Sequence, residues 1–134
     1  MNKIIIAVPR GRIINECKEI LKKTSFAPDP MLFDKDTRKL RFRSKNKNIE
    51  YIKVRAFDAC TFVAFGAAQI GIAGEDVIKE FDYSEVYSTL DLNIGHCKIS
   101  VAALRSLIKK ENPNTWSNIR VATKYPNITK SFFS

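Results

Sequence analysis

The stretch Lys3-Ile4-Ile5-Ile6-Ala7-Val8-Pro9-Arg10-Gly11-Arg12-Ile13-Ile14 decides the fold class. Lys3–Val8 is a short apolar, β-branched run, which reads as a buried strand. Pro9 and Gly11 punctuate it. Beyond them Ile13, Ile14, Cys17, Ile20 and Leu21 recur at helical spacing, with Glu16, Lys18, Glu19, Lys22 and Lys23 on the other side. Pro28 and Pro30 end that region. A strand, a glycine turn and an amphipathic helix open an α/β fold.

Downstream, Arg38–Arg43 alternates, with Leu40 and Phe42 on one face, and Ile49–Arg55 follows a polar turn. The pair predicts a β-hairpin. The pattern then predicts a helix over 56–65, a strand over 69–73 and a helix over 75–81. Further strands are expected over 87–90, 97–103 and 120–123, a polar connection over 107–116, and a helix over 128–133 with Asn127 as its N-cap. That last helix has no closing signal. A parallel unit begun at Arg120 needs another strand after its helix, so the pattern predicts a chain incomplete at its C-terminus.

The chain has 134 residues and a formal net charge of +9, with 45% hydrophobic and 28% charged residues. That composition belongs to a globular domain, not a disordered one. No apolar run approaches the roughly 20 residues that span a bilayer, and the first apolar run is too short for a signal-peptide core. Cys17, Cys60 and Cys97 are odd in number and form no C-x-x-C pair. A disulfide framework and a zinc site are therefore not expected, and a cytoplasmic location is. Residues 1–60 hold 15 Lys and Arg against 7 Asp and Glu, residues 61–100 hold 2 against 6, and residues 101–134 hold 6 against 1. The run Arg38, Lys39, Arg41, Arg43, Lys45, Lys47 can attract anions or can simply be a solvated basic hairpin.

Three strand-to-helix turns stand out. Pro9-Arg10-Gly11-Arg12 places a glycine and two arginines where an open α/β sheet presents ligands. It lacks the spacing of a P-loop. Gly71-Ile72-Ala73-Gly74-Glu75-Asp76 has backbone donors for a phosphate, with Asp76 available to a hydroxyl or to the helix as a cap. Thr123-Lys124-Tyr125-Pro126-Asn127 offers a cation and a ring that can stack on a base. His96 is the sole histidine and has no Asp, His or Cys cluster around it. Together the turns predict a ligand with several negative groups held between lobes.

The blocks Ala7–Ile13, Thr37–Leu40, Val54–Asp58, Gly66–Val77, Leu90–Leu92, Gly95–Lys98 and Arg120–Asn127 occur in an order that resembles the ATP phosphoribosyltransferase family, which opens histidine biosynthesis. The resemblance implies a two-lobed α/β fold like that of periplasmic binding proteins. Residues 1–102 would form the first lobe, lacking its returning C-terminal segment, and residues 103–134 the truncated start of the second. It implies condensation of ATP with 5-phosphoribosyl-1-pyrophosphate to N1-(5-phosphoribosyl)-ATP and pyrophosphate, with Mg2+ arriving on the substrates and no protein metal site. Catalytic roles fall to Arg12 and Arg38. Substrate-binding roles fall to Arg10, Gly11, Arg55, Gly74, Asp76, Asp91, Thr123, Lys124 and Tyr125. It implies a homo-oligomer, or a hetero-oligomer with a regulatory subunit resembling histidyl-tRNA synthetase, and neither nucleic acid nor membrane as partner. The family's T-G-x-T loop is not among these 134 residues, so the 134-residue polypeptide alone is expected to be inactive. The other reading is a two-lobed small-anion binding module without catalysis.

Overall fold

A computed structural model describes residues 2–134. It divides into two compact units, one ending at Gly95 and one from His96 to Ser134.

The first unit is built on a four-stranded sheet of order β2-β3-β1-β4. β1 (Ile4–Pro9) takes the centre because it is apolar throughout. It pairs in parallel with β3 (Ile49–Val54), from Ile4 opposite Ile49 to Pro9 opposite Val54, and in parallel with β4 (Ile70–Gly71). β2 (Arg41–Arg43) adds an antiparallel edge against β3. Parallel neighbours need crossover helices. α1 (Arg12–Lys22) makes the first crossing, and a 3-10 turn (Ala56–Asp58) running into α2 (Ala59–Ala64) makes the second. α3 (Glu75–Phe81) follows β4.

Side-chain alternation along β1 assigns one face to each helix. Ile6 and Val8 pack with Ile14, Cys17 and Leu21 of α1, and with Leu32, Phe42 and Tyr51. Ala7 packs on the opposite face with Val54, Ala59 and Ala68. Burial pushes the Cys17 thiol up to about 11, helped by the nearby Glu16 charge, so Cys17 is a core residue and not a nucleophile. Small residues let α2 lie close to the sheet. A Cβ on Gly71 would stand 2.9 Å from Val63 Cγ2 and 3.3 Å from Ala59 O. Gly71→Ala must therefore push β4 off α2. The expected cost is about 1–3 kcal/mol, read as a lowered urea midpoint with the slope unchanged.

The strand expected from residue 38 is shortened to Arg41–Arg43, and the one over 69–73 to Ile70–Gly71. The helix expected over 56–65 is a 3-10 turn followed by α2. A 3-10 turn at Pro30–Phe33, capped by the Asp29 carboxylate on Met31 N at 2.9 Å, has no counterpart in the sequence pattern.

The second unit consists of α4 (Arg105–Lys110), a 3-10 turn (Pro113–Thr115) and α5 (Pro126–Phe133). Part of the expected 107–116 connection is thus helical. α5 begins at Pro126, with Tyr125 in the cap position in place of Asn127. The strands expected at 87–90, 97–103 and 120–123 do not form; all of these residues are exposed. A β pattern becomes a strand only beside another strand's free N–H and C=O groups, and among the described residues none pairs with these segments. No helix among the described residues is long and apolar enough to cross a membrane.

Candidate functional site at the carboxyl edge of the sheet

Because β1, β3 and β4 run parallel, their carboxyl ends share one edge of the sheet. The ends of β1 and β4 deliver turns that the sequence singles out, and the end of β3 delivers Arg55. β1 ends in Pro9 and hands over Arg10-Gly11-Arg12; β3 ends in Val54 and hands over Arg55; β4 ends in Gly71 and leads to Gly74 and Asp76. Backbone bonds fix the edge: Arg10 N donates to Val54 O at 2.8 Å, and Ile72 N to Ala7 O at 2.9 Å.

Gly11 is the N-cap of α1, with φ 94° and ψ −145°. Only glycine adopts that conformation without strain. A Cβ there would meet nothing within 4 Å, so the constraint is torsional and the backbone stands open. The first N–H groups of α1 lack a side-chain cap, and its first turn holds no acidic residue. Such an end suits an anion.

Beside it, a cavity of about 260 Å³ is lined by Arg10, Lys53, Arg55 and Asp58, with Leu40 and Phe62 among the apolar walls. Lys53 Nζ donates to Asp34 O at 3.2 Å. Its ammonium lies below the ordinary lysine range through partial burial first and the Arg10 charge second, with Asp34 opposing. Arg55 Nε donates to Asp58 Oδ2 at 2.9 Å. Arg12 Nε meets Glu16 Oε1 at 3.3 Å. Three cations around one cavity, with a fourth beside the open Gly11, supply forked and point donors to a polyanion.

The other expected residues are placed as follows. Arg38 is exposed, precedes β2 and does not line the cavity. Gly74 is the N-cap of α3, and the Asp76 carboxylate folds back so closely that a Cβ on Gly74 would run into its Oδ1. Asp91 Oδ1 accepts from Asn93 N at 2.7 Å and so closes a turn. In the second unit Thr123 Oγ1 accepts from Tyr125 N at 3.0 Å, and Lys124 Nζ lies 5.4 Å from the Tyr125 ring centroid. The basic run is dispersed. Arg41 pairs with Glu50, Lys39 lies over Phe42, and Arg43 and Lys45 line a separate cavity near Pro28.

Lys53, Asp58 and Glu16 were not singled out from the sequence. Lys53 could have been found as the residue before the last position of a strand whose end carries an arginine. Glu16 and Asp58 were legible only as i+4 and i+3 partners of arginines. Among the described residues no group of three or more His, Cys, Asp or Glu could hold a metal ion.

The fold is that of a mixed α/β protein with helices on both faces of its sheet. The family model HisG: ATP phosphoribosyltransferase matches residues 55–134, and the chain belongs to that family. It is 53% identical over 131 residues to an ATP phosphoribosyltransferase of Rhizorhabdus wittichii, covering 98% of this chain and 59% of that protein. An ATP phosphoribosyltransferase of Rhodospirillum rubrum is 48% identical over 133 residues, covering 99% and 59%. The chain thus spans about 59% of the length of these curated relatives. The ATP phosphoribosyl transferase (HisG:HisZ) complex from Thermotoga maritima matches 60% of this chain and 36% of that chain, at 30% identity and a TM-score of 0.48.

Proposed function

We propose that the protein carrying these residues is an ATP phosphoribosyltransferase, joining ATP to 5-phosphoribosyl-1-pyrophosphate in the first step of histidine biosynthesis. The observation that carries the reading is the gathering of Arg10, Lys53 and Arg55 around one cavity beside the open Gly11 backbone, in a chain of this family. The reaction needs no protein nucleophile. The adenine N1 lone pair forms the bond to ribose C1 as the bond from C1 to the pyrophosphate oxygen breaks, and pyrophosphate carries away the electron pair. The protein must bring two polyanions together and stabilise the charge that grows on the leaving group. Mg2+ comes as part of the substrates.

In this reading Arg12 and Arg38 meet the triphosphate or the departing pyrophosphate, and Arg10, Gly11, Arg55, Gly74 and Asp76 line the nucleotide side. Asp91, Thr123, Lys124 and Tyr125 belong to the crossing between two lobes of a periplasmic-binding-protein-like fold. Residues 1–102 are assigned to the first lobe and 103–134 to the start of the second, although the first compact unit ends at Gly95. The reading goes with a cytoplasmic oligomer, either of this chain alone or with a regulatory subunit resembling histidyl-tRNA synthetase. The test is a steady-state assay of the full chain with both substrates and Mg2+. Formation of N1-(5-phosphoribosyl)-ATP in step with pyrophosphate is expected. ATP binding without turnover would instead favour a small-anion binding module.

A further inference from the structure

Arg12 and Arg55 lie on different elements, yet both are held at the same atom. Arg12 meets Glu16 Oε1 through Nε, one helical turn on, and Arg55 meets Asp58 Oδ2 through Nε across a 3-10 turn. A guanidinium gripped at Nε keeps Nη1 and Nη2, the two nitrogens that can fork onto two oxygens of one phosphate. Arg41 shows the contrary arrangement, since its Nη2 is spent on Glu50 Oε2 at 3.0 Å.

Glu16 also has a second task. Its other oxygen, Oε2, accepts from Gly95 N at 2.6 Å. The turn that carries Asp91 is pressed onto α1 at the same place. Asn93 and Gly95 have φ of 54° and 67°, and a Cβ on Gly95 would run into Ile13 Cδ1. One carboxylate therefore sets both the Arg12 fork and the 91–95 turn.

We infer that Glu16 and Asp58 are positioning residues that aim the forks of Arg12 and Arg55 at phosphate, Glu16 also fixing the 91–95 turn. The inference rests on the phosphoribosyltransferase reading. A carboxylate beside a phosphate site repels the polyanion while it orients the cation. Removing its charge should therefore separate binding from turnover.

Glu16→Gln and Asp58→Asn in the full chain are expected to bind inorganic pyrophosphate as tightly as wild type, or a few-fold tighter, while kcat falls about 10-fold. Both pairs are exposed and add little to stability, so Tm should hold. Glu16→Ala should speed amide exchange at Gly95 about 10-fold by removing its acceptor, and Glu16→Gln, whose amide oxygen still accepts, should restore protection. A kcat within twofold of wild type in both charge-neutral variants overturns the inference. So does an unchanged Gly95 exchange rate in Glu16→Ala. Wild type that neither binds pyrophosphate nor forms product defeats the phosphoribosyltransferase reading instead, and Gly95 exchange then still decides the Glu16 clamp.

Discussion

In the phosphoribosyltransferase proposed above, Arg12→Ala and Arg55→Ala should each lower kcat/KM by about 10²-fold, while the corresponding lysine variants recover part of the loss. The size follows from the task. Removing a preorganised donor aimed at a growing charge costs about 10²–10³ in rate, and the lower end applies to donors that start exposed. Arg55 is hydrogen-bonded at Nε to Asp58 and Arg12 is ion-paired at Nε with Glu16, so each fork is partly oriented before substrate arrives. Lysine keeps the charge and loses the fork, which is why its recovery should be partial. The side chain of Arg12 is 65% exposed and that of Arg55 81%. Their loss should leave Tm within about 1 °C of wild type, because exposed ion pairs contribute little. Initial rates of pyrophosphate release, set beside thermal unfolding of the same samples, separate the two effects. A loss of less than threefold in both alanine variants would place the phosphates elsewhere, and Arg38 would be the next residue to test.

Much of this site is legible in the sequence because local chemistry and the global fold agree there. A β-branched run, a glycine and an amphipathic helix can form little other than β1, the Gly11 turn and α1. The end of an inner strand then puts Arg10 and Arg12 at the carboxyl edge. Arg55 enters through the family resemblance alone, and the structure sets it just past the end of β3. Asp58 is legible only as the i+3 partner of Arg55, and Lys53 and Glu16 are harder, because what they do depends on neighbours brought in from other segments. Lys53 gains its place from the Asp34 carbonyl, against the like charge of Arg10, and Glu16 from Gly95, far along the chain. The expected strands at 87–90, 97–103 and 120–123 show the opposite failure. In 97–103 Cys97, Ile99 and Val101 alternate with Lys98 and Ser100, but alternation names a face and not a partner. A strand that finds no ladder stays irregular and exposed.

Tyr51→Ala should cost about 3–5 kcal/mol, a large part of the 5–15 kcal/mol that holds a typical domain together. Tyr51 is fully buried in the middle of β3, opposite Phe42 of β2 and Ile6 of β1. Its ring fills the core under α1, and its hydroxyl donates to Phe26 O at 2.8 Å, tying the segment after α1 to the sheet. Tyr51→Phe keeps the ring and leaves that carbonyl without its donor, so the expected cost is about 1–2 kcal/mol. Alkaline pH isolates the hydroxyl. Burial pushes the Tyr51 phenol up to about 12 from the ordinary 10.0. Below about pH 10 the phenol is neutral in both the folded and unfolded chains, and its full contribution is present. Between pH 10 and 12 the unfolded chain releases the proton first, and that contribution is lost as pH rises. The stability gap between wild type and Tyr51→Phe, read from urea unfolding at intervals from about pH 9 to about pH 11.5, should therefore narrow. A gap that stays constant over that span would mean that the hydroxyl is not buried against Phe26. The end of β3 would then owe its position to packing alone, and with it the placing of Lys53 and Arg55 at the carboxyl edge.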